Sequence, residues 1–169
     1  LGVALIAQGR IREAIAQYER VLVLRPDDAN AHSNLGTALA AQGRIADAVA
    51  HYERALALNP RHANAHNNLG LALGAQGRAA DAIAHFERAL VLNPGYPDPH
   101  SNLGLALAAQ GRIADAIAHY ERALVLNPRH VNAHNNLATA LIAQGRTADA
   151  IARLERALSG RRANRARQD

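Results

Sequence analysis

Apolar residues return along this chain at helical spacing, in two runs that recur every 34 residues. Within 29–62, Leu35, Ala38 and Leu39 share one face of a predicted first helix. Ile45, Ala48, Val49, Tyr52, Ala55 and Leu56 share one face of a predicted second helix. Asn30 is the expected N-cap of the first, because its side-chain oxygen can accept from the free backbone amides of the opening turn. Gly43 is expected to end that helix at the C′ position, where the left-handed conformation carries no Cβ penalty. Asp47 falls in the first turn of the second helix, where a carboxylate suits the helix dipole, and Pro60 stops it. The predicted unit is a helix–turn–helix, with small residues at Gly36, Ala48 and Ala55 that let the two helices approach closely.

The recurrence holds column by column. Asn34, Asn68, Asn102 and Asn136 each precede a leucine, Gly43, Gly77, Gly111 and Gly145 each follow a glutamine, and Pro60, Pro94 and Pro128 each follow an asparagine. A period of this size marks a stacked array, in which each unit buries its apolar face only against its neighbours. The expected array is 1–160: a partial unit at 1–28, repeats at 29–62, 63–96, 97–130 and 131–164, and a basic tail at 161–169. Leu1 stands in the column of Leu35 and no methionine precedes it, which predicts a piece of a longer protein. The last repeat decays, with Ala138, Leu154 and Arg162 where its siblings carry glycine, an aromatic ring and proline; together with Gly160 this predicts the end of the array. In the third repeat Pro97 and Pro99 surround Asp98, predicting an N-cap followed by proline. Gly74 stands mid-helix where Ala40 and Ala108 stand elsewhere, at a cost of about 1 kcal/mol in helix propensity.

The pattern resembles the tetratricopeptide repeat, TPR, whose spacing runs aromatic–x2–Leu–Gly–x2–Tyr, then Ala–x3–Phe, then Pro. Here it reads His32, Leu35, Gly36, Leu39, Ala48, Tyr52 and Pro60, then His66, Leu69, Gly70, Leu73, Ala82, Phe86 and Pro94, then His100, Leu103, Gly104, Leu107, Ala116, Tyr120 and Pro128. The match runs over 1–158. It departs from the family in placing histidine for the usual tryptophan and leucine for the usual tyrosine. The resemblance implies an all-α, right-handed superhelical solenoid of helix–turn–helix repeats, with the first helices lining the concave side, that works as a scaffold for a protein or extended peptide.

On such a face the columns of Asn30, Ser33, Asn34, Thr37, Ala40 and Ala41 lie together, from their i, i+3, i+4, i+7 spacing. Carried along the array, the deepest column is the ladder Asn34, Asn68, Asn102 and Asn136. Asparagine offers one carbonyl acceptor and two amide donors, so it can pair with both groups of a peptide unit. Beside the ladder stand Asn64, Asn67, Asn132 and Asn135, with Thr37 and Thr139 at the ends and Leu71 and Leu105 between them. These are the candidate peptide-binding residues. The ladder, and the text Asn-Ala-His-Asn-Asn-Leu-Gly at 64–70, are similar to the TPR superhelix of O-linked N-acetylglucosamine transferases, where such a ladder grips acceptor polypeptides. The carboxylate clamp of other TPR grooves needs lysines and arginine on this face, where Ser33, Asn64, Asn67 and Asp98 stand instead.

Composition narrows the field further. The chain has no cysteine, so disulfides, thiolate metal sites and cysteine nucleophiles are excluded. All basic residues are arginine, which fits a GC-rich, bacterial coding bias. The formal charge of +5 is modest and drawn in part from the tail, where Arg161, Arg162, Arg165 and Arg167 face only Asp169. Arg44, Arg78, Arg112 and Arg146 fall in turns, and Arg54, Arg88, Arg122 and Arg156 beside glutamates, with no aromatic platform between them, so no nucleic-acid partner is expected. No apolar run approaches the roughly 18 residues of a membrane span, which predicts a soluble piece and no membrane partner. The compartment is left open, with the cytoplasm as default.

Nine histidines invite a metal. His32, His66, His100 and His134 recur one per repeat and cannot share an ion; His62/His66 and His130/His134 straddle a loop without further ligands. The expectation is substituted core histidines, with no metal and no cofactor. Asp47/His51, Asp81/His85 and Asp115/His119 stand four apart on second helices without a nucleophile, and read as surface charge pairs. No catalysis is expected of this fragment. Three roles follow: an interaction scaffold holding an extended polypeptide, the substrate-recruiting arm of a larger glycosyltransferase or other enzyme, or a solenoid that associates head to tail with itself.

Overall fold

The structure, a computed structural model, describes residues 2–155, and of residue 3 the backbone only. Leu1, Arg156, the expected close at Gly160 and Arg162 and the tail 161–169 lie outside the described residues. Every element among the described residues is a helix: α1 (Gly2–Ala7), α2 (Ile11–Leu24), α3 (Ala29–Ala41), α4 (Ile45–Leu58), α5 (Ala63–Ala75), α6 (Ala79–Leu92), α7 (Pro97–Ala109), α8 (Ile113–Leu126), α9 (Val131–Ala143) and α10 (147–155). They group into two compact units, Leu1–Pro94 with α1–α6 and Gly95–Asp169 with the rest. None of these helices is long and apolar enough to cross a membrane.

Odd-numbered helices are the first of each hairpin and even-numbered ones the second. The turn inside each hairpin is set by glycine: Gly43 adopts φ +78°, and the following amide, of Arg44, donates back to the Leu39 carbonyl at 3.0 Å. A side chain there would have to enter the left-handed region, so the glycine column fixes hairpin length. After α4, α6 and α8 the chain leaves the second helix through an asparagine, and after α2 through Arg25. Asn59 Oδ1 accepts from the Arg61 amide at 3.0 Å, and Pro60 cannot continue the helix.

The starts of the first helices differ from expectation. Asp28, not Asn30, caps α3, accepting from the Ala31 amide at 3.0 Å. His62 and His130 occupy the same column and cap α5 and α9 through Nδ1, at 3.3 and 3.2 Å. The asparagine two residues on lies inside the helix, its own amide already within the first turn. In α7 the cap is Tyr96 and Pro97 takes the first helical position, so Asp98 is helical rather than the cap.

Within each hairpin the helices meet through fully buried alanines, Ala48 and Ala55 of α4 among them. Above them an aromatic ring of the second helix lies on a glycine of the first: Tyr52 on Gly36, Phe86 on Gly70, Tyr120 on Gly104. In unit 1 the backbones of successive first helices come close, α1 to α3 and α3 to α5, whereas those of the second helices α2, α4 and α6 stand farther apart. The first helices of this unit therefore occupy the inner, concave side. In unit 2, α7 and α9 come close in the same way.

Candidate functional site

The inner face of unit 1 carries the columns predicted for a ligand. Asn30 and Asn64 are exposed, Asn34, Asn68 and Thr37 half-buried, and Leu71 is 47% exposed. Unit 2 presents Asn102 and Asn136 half-buried, with Leu105, Asn132, Asn135 and Thr139 exposed. Asn67 departs from the rest: with Ser33 and Ser101 in the same column it is buried, 3% exposed, and its amide donates to Asn68 Oδ1 at 3.1 Å. Asn67 thus supports Asn68 instead of offering a surface, whereas Asn135, in the same column, is exposed.

Thr37 is the centre of a small network. Its hydroxyl donates to the Ser33 carbonyl at 3.1 Å and accepts from Tyr52 OH and from Asn68 Nδ2, each at 3.2 Å. Burial pushes the Tyr52 hydroxyl pKa up, so it stays a donor at neutral pH. Asn68 thus has one amide hydrogen and one lone pair committed, and one of each left. Asn34 makes no side-chain hydrogen bond among the described residues.

Between Thr37 and Asn68 the surface dips into a depression of about 230 Å³, lined by Thr37, Ala40, Ile45, Tyr52, Asn68, Leu71, Ala72 and Ala75. No charged side chain lines it. The arginines of the turns after α3 and α5 are paired with the starts of the next helices, Arg44 to Asp47 at 2.6 Å and Arg78 to Asp81 at 2.7 Å. In unit 2, Arg112 and Arg146 repeat the arrangement with Asp115 and Asp149, and Asp98, in the clamp position, meets His130 Nε2 at 3.0 Å.

His130 meets Asp98, whereas the first-helix histidines are only half-buried and, in the first three full repeats, pair with rings, not with carboxylates. His32, His66 and His100 are half-buried, and each faces a histidine of the second helix, Nδ1 to Nδ1: His51 at 3.0 Å, His85 at 2.9 Å and His119 at 3.1 Å. His32 Nε2 donates to the Pro26 carbonyl at 2.9 Å, so its neutral Nδ1 is an acceptor and the proton between the rings belongs to His51. The predicted Asp47–His51 pairing is replaced by these contacts, since Asp47 is held by Arg44. The one sequence signal for the pairs is that two histidine columns recur together at a separation of 19 residues. In the fourth repeat His134 remains, but Arg153 takes the partner's place and bonds to Glu121 instead. Among the described residues no group of three or more His, Cys, Asp or Glu is placed to hold a metal.

The tetratricopeptide repeat family profile matches residues 35–97 and 101–166, and a second TPR repeat profile matches 2–43. Similar solved structures include MamA, 25% identical over 98% of this chain and 97% of that one, with a TM-score of 0.81. A thermophilic TPR protein of Thermus thermophilus is 28% identical over 94% of this chain and 87% of that one, at 0.81. PilF of Pseudomonas aeruginosa is 25% identical over 95% of this chain and 73% of that one, at 0.86. No curated protein sequence matches the chain.

Proposed function

The chain belongs to the tetratricopeptide repeat family, a protein-interaction fold, and we propose that it is a module that holds an extended polypeptide along the first-helix face of each unit. The observation that carries this reading is a recurrent, uncharged, hydrogen-bonding register: Asn34 with Asn68 in unit 1, Asn102 with Asn136 in unit 2, flanked by exposed Leu71 and Leu105. An extended chain repeats its amide and carbonyl at fixed intervals, and an asparagine can answer both. Each such bond contributes about 0.5–1.5 kcal/mol net, so affinity has to come from several asparagines acting together and from the apolar side chains beside them. The reading gives this chain no catalytic chemistry of its own, and no cofactor.

The test is capture of partners from a bacterial lysate by the wild-type chain and by a variant with Asn34, Asn68, Asn102 and Asn136 all changed to Ala. Circular dichroism and melting of both proteins report whether the helices survive. Capture lost from a folded variant supports the reading. The same partners on both proteins would place recognition on another face and overturn it.

A further inference from the structure

Resting on the peptide-binding reading, we infer that the inner groove of unit 1 selects its ligand by one uncharged aliphatic side chain, seated in the depression between α3 and α5. The polar atoms at its floor are already matched to one another: Thr37 Oγ1 serves Tyr52 and Asn68 and donates to Ser33, and Asn68 Oδ1 is held by Asn67. A charged side chain lowered into this space would lose water and meet no opposite charge, since Arg44 and Arg78, of the turns after α3 and α5, are occupied by Asp47 and Asp81. The remaining walls are hydrocarbon, from Ala40, Ile45, Leu71, Ala72 and Ala75. Leu71 leaves 47% of its surface in water, which an aliphatic anchor would cover. At about 230 Å³ the space is smaller than the roughly 300 Å³ at which pockets for whole small molecules begin, and it suits a single side chain. Asn68, which lines it, keeps one amide hydrogen and one lone pair to take the backbone beside the anchor.

The probe is a degenerate library of nine-residue peptides, selected on the immobilised full chain and sequenced, followed by affinity measurements on the selected peptides. One position enriched in Leu, Ile, Val or Met is the expected result. Ala75→Leu, which fills the depression from an exposed helix position, is expected to weaken those peptides roughly tenfold or more. Ala84→Leu, on the outward side of α6, is expected to leave them unchanged. Peptides that bind but carry a charged or polar residue at every enriched position, or that ignore Ala75→Leu, would overturn this inference and leave peptide binding standing. Failure of any peptide to enrich would overturn the peptide-binding reading, and the anchor with it.

Discussion

The ring of Phe86 fills the space where a side chain on Gly70 would begin. A Cβ placed on Gly70 would lie 2.6 Å from Cε1 of that ring, closer than carbon atoms tolerate, and Phe86 is itself 3% exposed and has nowhere to withdraw. Gly36 with Tyr52 and Gly104 with Tyr120 repeat the relationship at 2.8 and 2.6 Å. In the fourth repeat both members have changed at once: Ala138 is buried and Leu154, a smaller side chain, stands in the ring's column and is 37% exposed. The decay of that repeat is therefore a matched exchange, methyl gained against ring lost.

Gly70→Ala alone is accordingly expected to destabilise unit 1 by about 1–3 kcal/mol, overpacking outweighing the gain of about 1 kcal/mol in helix propensity. Phe86→Leu alone leaves a cavity. The double variant is expected to cost less than the sum of the two, with a coupling of about 1 kcal/mol or more. Urea denaturation of the four proteins measures the cycle, and strict additivity would refute the matched exchange.

Much of this is legible in the sequence, for a physical reason: in a repeat array every local rule is restated in each copy. Hairpin ends are readable from Gly43, which takes the left-handed backbone that glycine favours, and from Pro60, which cannot continue a helix. Helix starts are not, since Asp28 and Asn30 are both able to cap and the choice depends on how the preceding loop enters. The groove columns follow from helical spacing, but spacing also assigns Asn67 to the surface, because it names a face and does not show which neighbour covers it. The His32–His51 contact joins two helices across a turn, and no local motif announces it.

The caps make a second prediction. Asp28 offers α3 a charged acceptor, whereas His62 caps α5 with a longer bond, 3.3 Å against 3.0 Å. Because His62 Nδ1 accepts, its hydrogen sits on Nε2, and that atom is buried without a partner. His62→Asp is expected to raise stability at neutral pH by about 1 kcal/mol, by placing a carboxylate at a helix N-terminus and removing the unpaired N–H. Asp28→Ala is expected to lower it by a similar amount. Denaturation midpoints of the two variants check both signs.

The histidine pairs predict how the fold responds to acid. One proton lies between the two Nδ1 atoms of each pair, and protonating both rings would set two N–H groups against each other at about 3 Å, losing the bond. Burial, chiefly, holds His51, His66 and His85 below the ordinary histidine range, and for His51 and His66 the facing ring adds to it. Asp47 and Glu19 pull His51 back up and Arg44 pushes it down, as Asp81, Glu53 and Arg78 do for His85; Arg88 and His62 also press on His66. With folded pKa values below unfolded ones, the unfolded chain binds more protons as pH falls. The stabilisation is thus complete above the ordinary histidine pKa and is lost as pH drops through the folded values. Thermal melting should be flat near pH 7 and above and decline by about pH 5, before carboxylates titrate. A variant with Gln at positions 51, 85 and 119 keeps an N–H for the facing Nδ1 but cannot take up a proton, and should show a shallower decline. An equally steep decline in that variant would mean that the acid sensitivity comes from elsewhere in the repeats.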